Sequence, residues 1–286
     1  MTAIAALLRR ADVVFTDLET PIDGPSAGKP TRSDATLHRA PATVIDCLKS
    51  LGVTMVTTAN NHAWDLGTGG IGSTIEALDQ RGIVHAGSGR NLAVAAASAT
   101  QRTPAGDFAL AAAAAGAIRP GAAATTEHAG INELRRRADG TLEPADVDRV
   151  LAAIGAARAT GATVLMCLHN HHWEPVQSDT PAWQKDFARA CIDAGASAFV
   201  GHGTPVMQAH EFYRGAPLFH GLGNFIFQTR KEDGAYGADT WRSMIVDARF
   251  AEGRLIDFRL HQIQLEAARR DGFSWGVPTI TAASTT

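Results

Sequence analysis

The chain has 286 residues, 45% of them hydrophobic and 19% charged, with a formal net charge of −3. That length and apolar content suit one α/β domain spanning 1–286 and exclude a wholly disordered chain. Near-neutral charge gives no reason to expect the basic face that marks a nucleic-acid binder, so no nucleic-acid partner is expected.

In chain order, Met1 to Arg10 reads as a helix leading to a strand at Val13 to Phe15, whose end carries Asp17, Leu18 and Glu19. Asp23 to Ser33 is a Gly/Pro/Ser-rich loop. Pro41 to Leu51 has apolar residues at helical spacing and stops at Gly52. A β-branched strand, Val53 to Thr57, runs into Ala59-Asn60-Asn61-His62, and Ile71 to Arg81 is a helix before a short strand, Ile83 to His85. Asp107 to Ala115 reads as a strand despite its alanines, and Glu127 to Asp139 as a polar loop. Asp146 to Thr160 is a helix, Thr163 to Leu168 an apolar strand, Pro181 to Asp193 a helix, and Ala198 to Val200 a strand ending in Gly201-His202-Gly203. An antiparallel pair, Ser243 to Phe250 and Leu255 to Gln264, follows. Alternating strands and helices predict an α/β fold with helices layered on a sheet.

Cys47, Cys167 and Cys191 are isolated, which fits a reducing compartment rather than a disulfide framework. No apolar run reaches the roughly 20 residues that span a membrane, and Met1 to Arg10 lacks the order of a signal peptide. The chain as written is expected to be cytoplasmic with no membrane segment, a reading that a natural start upstream of Met1 would change.

Four times an apolar strand ends in acidic or metal-capable side chains: Asp17/Glu19, Asn60/Asn61/His62/Asp65, His169/His171/His172/Glu174, and His202. Ligands of open α/β sheets bind beyond the carboxyl ends of strands, so these groups converge if their strands are neighbours. Three histidines and a glutamate within six residues offer nitrogen and oxygen ligands suited to Zn²⁺, Mn²⁺ or Fe, and strand alternation lets His169 and His171 point together. The competing reading is a solvated loop. Asn60-Asn61 can equally make a turn, Asp17 and Glu19 can bridge metals or cap the next element, and a glycine-flanked His202 can be no more than a turn residue. His38, His85, His128, His210, His220 and His261 have no comparable company, and Cys167 reads as core.

At these residues the chain resembles a known family. Val13 to Pro21, with Asp17-Leu18-Glu19-Thr20-Pro21, resembles the "N/D-LE-T/S-P" segment of the bacterial capsule-synthesis CapA family, related to the poly-γ-glutamate synthesis protein PgsA. Thr58 to Gly67 resembles its "ANNH…D-G" motif, His169 to Glu174 its histidine-plus-glutamate segment, and Gly201 to Phe227 its "GH…E-Y-G…LGNF-F" stretch. The resemblance implies a four-layer α/β sandwich of the calcineurin-like metallophosphoesterase type, with a divalent metal centre (Mn, Zn or Fe, one or two ions) at the strand ends. It implies metal ligands among Glu19, His62, His169, His171 and His202, with catalytic roles for Asn61, Asp65, His172 and Glu174. The expected chemistry is a metal-activated water attacking an amide or phosphoester, with His172 or Glu174 protonating the leaving group and Asn61 orienting the oxyanion. The substrate is then a small molecule or an acidic polymer of the capsule type; the alternative is a non-catalytic capsule-biosynthesis component that binds polymer or partner. Three departures are expected to matter: no Gly-Asp precedes Asp17, Gly203-Thr204-Pro205 stand where related chains carry further histidines, and the C-terminal helix is cut short after Pro278.

Overall fold

The alternation of short strands and helices is realised as an α/β fold. The computed structural model describes residues 2–34, 36–229, 231–267 and 275–285. Its elements are α1 (Thr2–Leu8), β1 (Phe15–Asp17), α2 (Thr43–Leu51), β2 (Met55–Thr57), α3 (Gly67–Asp79), β3 (Val84–Ala86), β4 (Ser88–Gly89), α4 (Leu92–Ala96), β5 (Ala99–Thr103), β6 (Gly106–Ala115) and β7 (Gly130–Ile131). There follow α5 (Pro144–Ala159), β8 (Thr163–Asn170), α6 (Ala182–Asp193), β9 (Ala198–His202), β10 (His210–Tyr213), β11 (Ala216–Phe219), β12 (Arg242–Ala251), β13 (Arg254–Leu265) and β14 (Pro278–Thr285).

A mixed six-stranded sheet in the order β10-β11-β9-β8-β6-β5 forms the centre, with β6, β8, β9 and β11 parallel and antiparallel strands at both edges. A parallel sheet, β1-β2-β3, and an antiparallel sheet, β12-β13-β14, stand beside it. Side chains alternate across the central sheet as strand geometry requires. In β6 the odd-numbered Ala109, Ala111, Ala113 and Ala115 pack with Ile154 of α5 and Phe187 of α6. The even-numbered Leu110, Ala112 and Ala114 pack with Met55 and Ala86 of the small parallel sheet and Phe258 and Leu260 of β13. A strand buried on both faces has no polar side to show, which is why the alanine run gives a strand without alternation in its sequence. Helices α2 and α3 cover the other face of the parallel sheet through Ile45, Leu48, Ala77 and Leu78.

Boundaries differ from expectation in instructive ways. β1 lies two residues later than expected because Asp17 is itself paired, its Cα opposite Thr57. Helix α3 starts at Gly67, four residues before the apolar periodicity; glycines are poor helix formers, but a Cβ at Gly69 would stand 2.4 Å from the Ser26 carbonyl oxygen. The short elements α4, β5, β7 and β10 carry no clear pattern in sequence. Beyond Pro278, where a shortened helix was expected, the chain adds β14 to β13. Among the described residues no helix is long and apolar enough to cross a membrane.

Candidate functional site

Strand parity carries straight into the site. In β8, Leu165 and Cys167 face the parallel sheet, and His169 continues that face. His202 ends β9 directly opposite His169, and Asp17 ends β1 from the neighbouring sheet. The crevice between the sheets therefore collects side chains from three strand ends and from the turn after β2.

Asp17 is the hub. One carboxylate oxygen lies 2.9 Å from His169 Nδ1; the other accepts the Thr57 hydroxyl at 2.7 Å and the Asn60 amide at 3.1 Å. Burial alone would raise its carboxyl, but His169, with His202 and Thr57, more than reverses this and holds it below the usual carboxylate range. The imidazole of His169, 2% exposed as a residue, has its Nε2 at 2.9 Å from Asn61 Oδ1 and 3.6 Å from Glu19 Oε1. Burial pushes His169 down, yet Glu19 and Asp17 together lift it above its ordinary value. Glu19 is held above its ordinary value, first by enclosure in the protein and then by Asp17 and Asp65, against the pull of His169 and His62.

His62 lies in the turn after β2. Its Nδ1 is 2.8 Å from Asp65 Oδ2, which leaves Nε2 facing Glu19 Oε1 at 3.9 Å. A carboxylate on one imidazole nitrogen fixes the tautomer and aims the other, the arrangement seen around metal-ligating histidines. Asn60 is a brace: its amide donates to Asp17 and to the Leu18 carbonyl, and its oxygen accepts the His62 N–H.

His171, two residues past His169 on the same face, stacks on it with ring centroids 5.0 Å apart, and Trp173 covers its other side at 4.7 Å. Burial, then the charges of His169 and His62, push His171 down to about 3, so it is neutral. Its Nε2 is buried with no hydrogen-bond partner. A buried ring nitrogen without a partner is uncommon in folded proteins and points to an atom still to be satisfied. Ligand atoms of Glu19, His169 and His171 all lie within 4.8 Å of one another, and among the described residues this is the one such group.

The other expected residues fall elsewhere. His202 reaches toward Cys167, its Nε2 4.0 Å from Sγ, and burial holds its pKa down. His172 points the opposite way from His171, its ring edge against Trp183 on α6 at 6.2 Å, and Glu174 is exposed in the following loop. Neither makes a hydrogen bond or ion pair to the Glu19–His169–His171 group. Two residues that sequence reasoning passed over are present. His38 stacks on His62 at 3.6 Å between centroids with planes 11° apart, and Arg32 pairs with Asp65 at 2.8 Å. The expectation that His38 has no comparable company is corrected here: it lies in a loop whose course is set by tertiary packing, and no spacing in the sequence signals it.

The family model described as Bacterial capsule synthesis protein PGA_cap matches residues 1–229. A protein of Sinorhizobium fredii, y4sH, is 28% identical over 373 residues, covering 97% of this chain and 80% of the relative. Capsule biosynthesis protein CapA of Bacillus anthracis is 27% identical over 238 residues, 81% of this chain and 55% of the relative. PGA biosynthesis protein CapA of Bacillus subtilis is 27% identical over 237 residues, covering 81% and 58%. The match thus spans somewhat more than half the length of the two CapA proteins.

Proposed function

From the premise that this chain belongs to the bacterial capsule synthesis PGA_cap family, we propose that it is a metal-dependent hydrolase in the synthesis or processing of a poly-γ-glutamate-type capsule polymer. The observation that carries the reading is the buried, unpartnered Nε2 of His171 beside Glu19 and His169. This donor set of two imidazoles and a carboxylate suits Mn²⁺, Zn²⁺ or Fe²⁺. Such an ion, when bound, polarises the scissile carbonyl or phosphoryl group and lowers the pKa of a water.

The chain's own residues supply the remainder. Asp17 orients His169 through Nδ1 so that Nε2 faces Glu19. Asp65 orients His62 so that its Nε2 can hold or pass a proton beside Glu19. The Asn61 carboxamide, against His169, is placed to hydrogen-bond a substrate oxygen. In this reading the leaving-group proton comes from His62, and His202 is an outer member of the set. The fold is read as a single-domain, four-layer sandwich of the metallophosphoesterase type. The packing order α5/α6, central sheet, parallel sheet, α2/α3 supports it.

The test is purified protein supplied with Mn²⁺, Zn²⁺ or Fe²⁺ and assayed on a γ-glutamyl anilide and on an aryl phosphodiester. Turnover of one, lost in Glu19→Gln and His171→Ala, is expected; turnover of neither sinks the hydrolase reading. A second reading, a non-catalytic polymer- or partner-binding component, draws on one observation: both His169 nitrogens already have partners, in Asp17 and Asn61. Binding of a γ-glutamyl polymer without turnover, and undiminished by a chelator, is its expected signature.

A further inference from the structure

The segment after β1 reads in sequence as a Gly/Pro/Ser-rich connection, yet it makes a dense set of contacts with the turn that carries His62. Gly28 N–H donates to the Leu66 carbonyl at 3.0 Å and Thr31 N–H to that of Asp65 at 2.8 Å, and the Thr31 hydroxyl donates to the Trp64 carbonyl at 2.9 Å. Arg32, its side chain only 14% exposed, pairs through Nε with Asp65 Oδ1 at 2.8 Å. Its Nη2 donates to the Asn61 carbonyl at 3.2 Å. Asp65 is fully buried and its second oxygen is shared by His62 Nδ1 and the His38 backbone N–H, both at 2.8 Å.

His38 touches all three neighbours at once. Its N–H bonds Asp65, its ring lies parallel on His62, and its Nδ1 is 2.8 Å from the Glu19 backbone carbonyl. A carbonyl oxygen only accepts, so Nδ1 carries the proton. A loop that merely connects two elements has no reason to bury a guanidinium against Asp65 and an imidazole against His62 and the Glu19 carbonyl, because each buried polar group costs free energy unless its bonds are made.

We propose that Arg32 and His38 are positioning residues, which lock the His62 imidazole through Asp65 and hold it in register with Glu19. The Arg32 guanidinium joins the Asp65 carboxylate, through Nε, to the Asn61 carbonyl, through Nη2, two contacts in one rigid plane that lysine cannot reproduce. His38 ties the end of β1 to the turn after β2. The role given to this geometry rests on the metal-dependent reading above; the geometry itself can be measured without it.

The experiment compares wild type with Arg32→Met, Arg32→Lys, His38→Ala and His38→Phe, after circular dichroism has shown each to be folded. The first readout is the ¹⁵N shifts of the His62 imidazole in metal-free protein. The second is Zn²⁺ affinity by titration calorimetry. Wild type is expected to hold one His62 tautomer with the proton on Nδ1, and Arg32→Met to show a mixture. Zn²⁺ affinity should fall by up to about 10-fold, the lower edge of the effect of losing an outer partner of a ligand, because Arg32 reaches the ligand Glu19 only through Asp65 and His62. His38→Phe keeps a stacked ring without the bond to Glu19 and should lose less than His38→Ala. If Arg32→Met does not fold, Arg32→Lys takes its place with the same expected direction. Folded Arg32 and His38 variants with unchanged His62 shifts and unchanged Zn²⁺ affinity overturn the proposal. A wild type that binds no Zn²⁺ defeats the metal-dependent reading, while the His62 shifts still decide the positioning role.

Discussion

Consecutive residues at the end of β8 face opposite ways and are treated in opposite fashion. On the inner face, His169 and His171 sit among carboxylates and other imidazoles, and one buried nitrogen has no partner. On the outer face, the Asn170 amide donates to Gln184 at 2.7 Å and its oxygen accepts the His172 N–H at 2.7 Å, while Gln184 in turn donates to the His220 carbonyl at 3.0 Å. Neutral amides make several bonds without burying a charge, so the outer network holds the loop against α6 at little electrostatic cost. The inner face concentrates carboxylates and imidazoles whose burial is expensive; unpartnered buried nitrogens occur on both faces, at His171 Nε2 inside and at Trp183 Nε1 and His220 Nδ1 outside, so charge rather than satisfaction separates them. A concentration of perturbed ionisable groups in a crevice is the pattern expected of a functional site, and the proposed metal-binding role builds on it. What separates the two is strand parity, not the density of histidines along the chain.

The comparison breaks first at His171. His171→Ala should weaken Zn²⁺ binding by more than about 100-fold, beyond the 10–100-fold typical of outer partners. The melting temperature should fall only modestly, since the ring it removes stacks on His169 and Trp173 but makes no hydrogen bond through Nε2. Calorimetric titration beside thermal melting separates the two effects, and unchanged binding would put the metal elsewhere.

Asp146 extends the comparison to a buried charge with its bonds made. It accepts from Arg135 at 2.7 and 3.0 Å and from Arg149 at 2.7 Å. Burial alone would raise its carboxyl, but these bonds hold it below its ordinary value. With the folded value depressed, the stabilisation is present above the unfolded value of about 3.9 and fades as pH falls through the folded value. Asp146→Asn should cost, near pH 7, the lower end of the roughly 3–5 kcal/mol for breaking a buried pair, because Arg135 is largely exposed. Denaturant titrations of the two proteins should converge as the pH drops below about 4.

Asn170→Ala tests the outer network, with an expected loss of about 1–3 kcal/mol from groups left unpaired, read as a lower denaturation midpoint with an unchanged slope. The smallest effect is expected from His172→Ala and Glu174→Ala, within about 0.5 kcal/mol of wild type and with Zn²⁺ affinity retained. A tenfold or greater loss of turnover in either variant would return the proton-donor role to the outer face and erase the distinction between the faces.

Much of the candidate site is legible in the sequence alone. The strands that end in Asn60-Asn61-His62, His169 and His202 are apolar or β-branched runs, and the polar residues stand where such runs stop. Family membership follows from the same segments. Less legible were the residues whose partners are distant. Asp17 could be read as a cap or a ligand, and it became the hub only through His169, 152 positions away. Arg32 and His38 lie in a loop with no periodicity at all.

The sequence by itself determined the order of strands and helices, the polar ends of the strands and the family, because propensity, alternation and motif are properties of neighbouring residues. Tertiary structure alone decided which face of β8 enters the crevice, that His172 turns toward Trp183, and that a glycine-rich loop returns to bury Arg32 against Asp65. Those outcomes depend on how one sheet packs on another and on where buried charges find partners, and neither is encoded in any short stretch of chain.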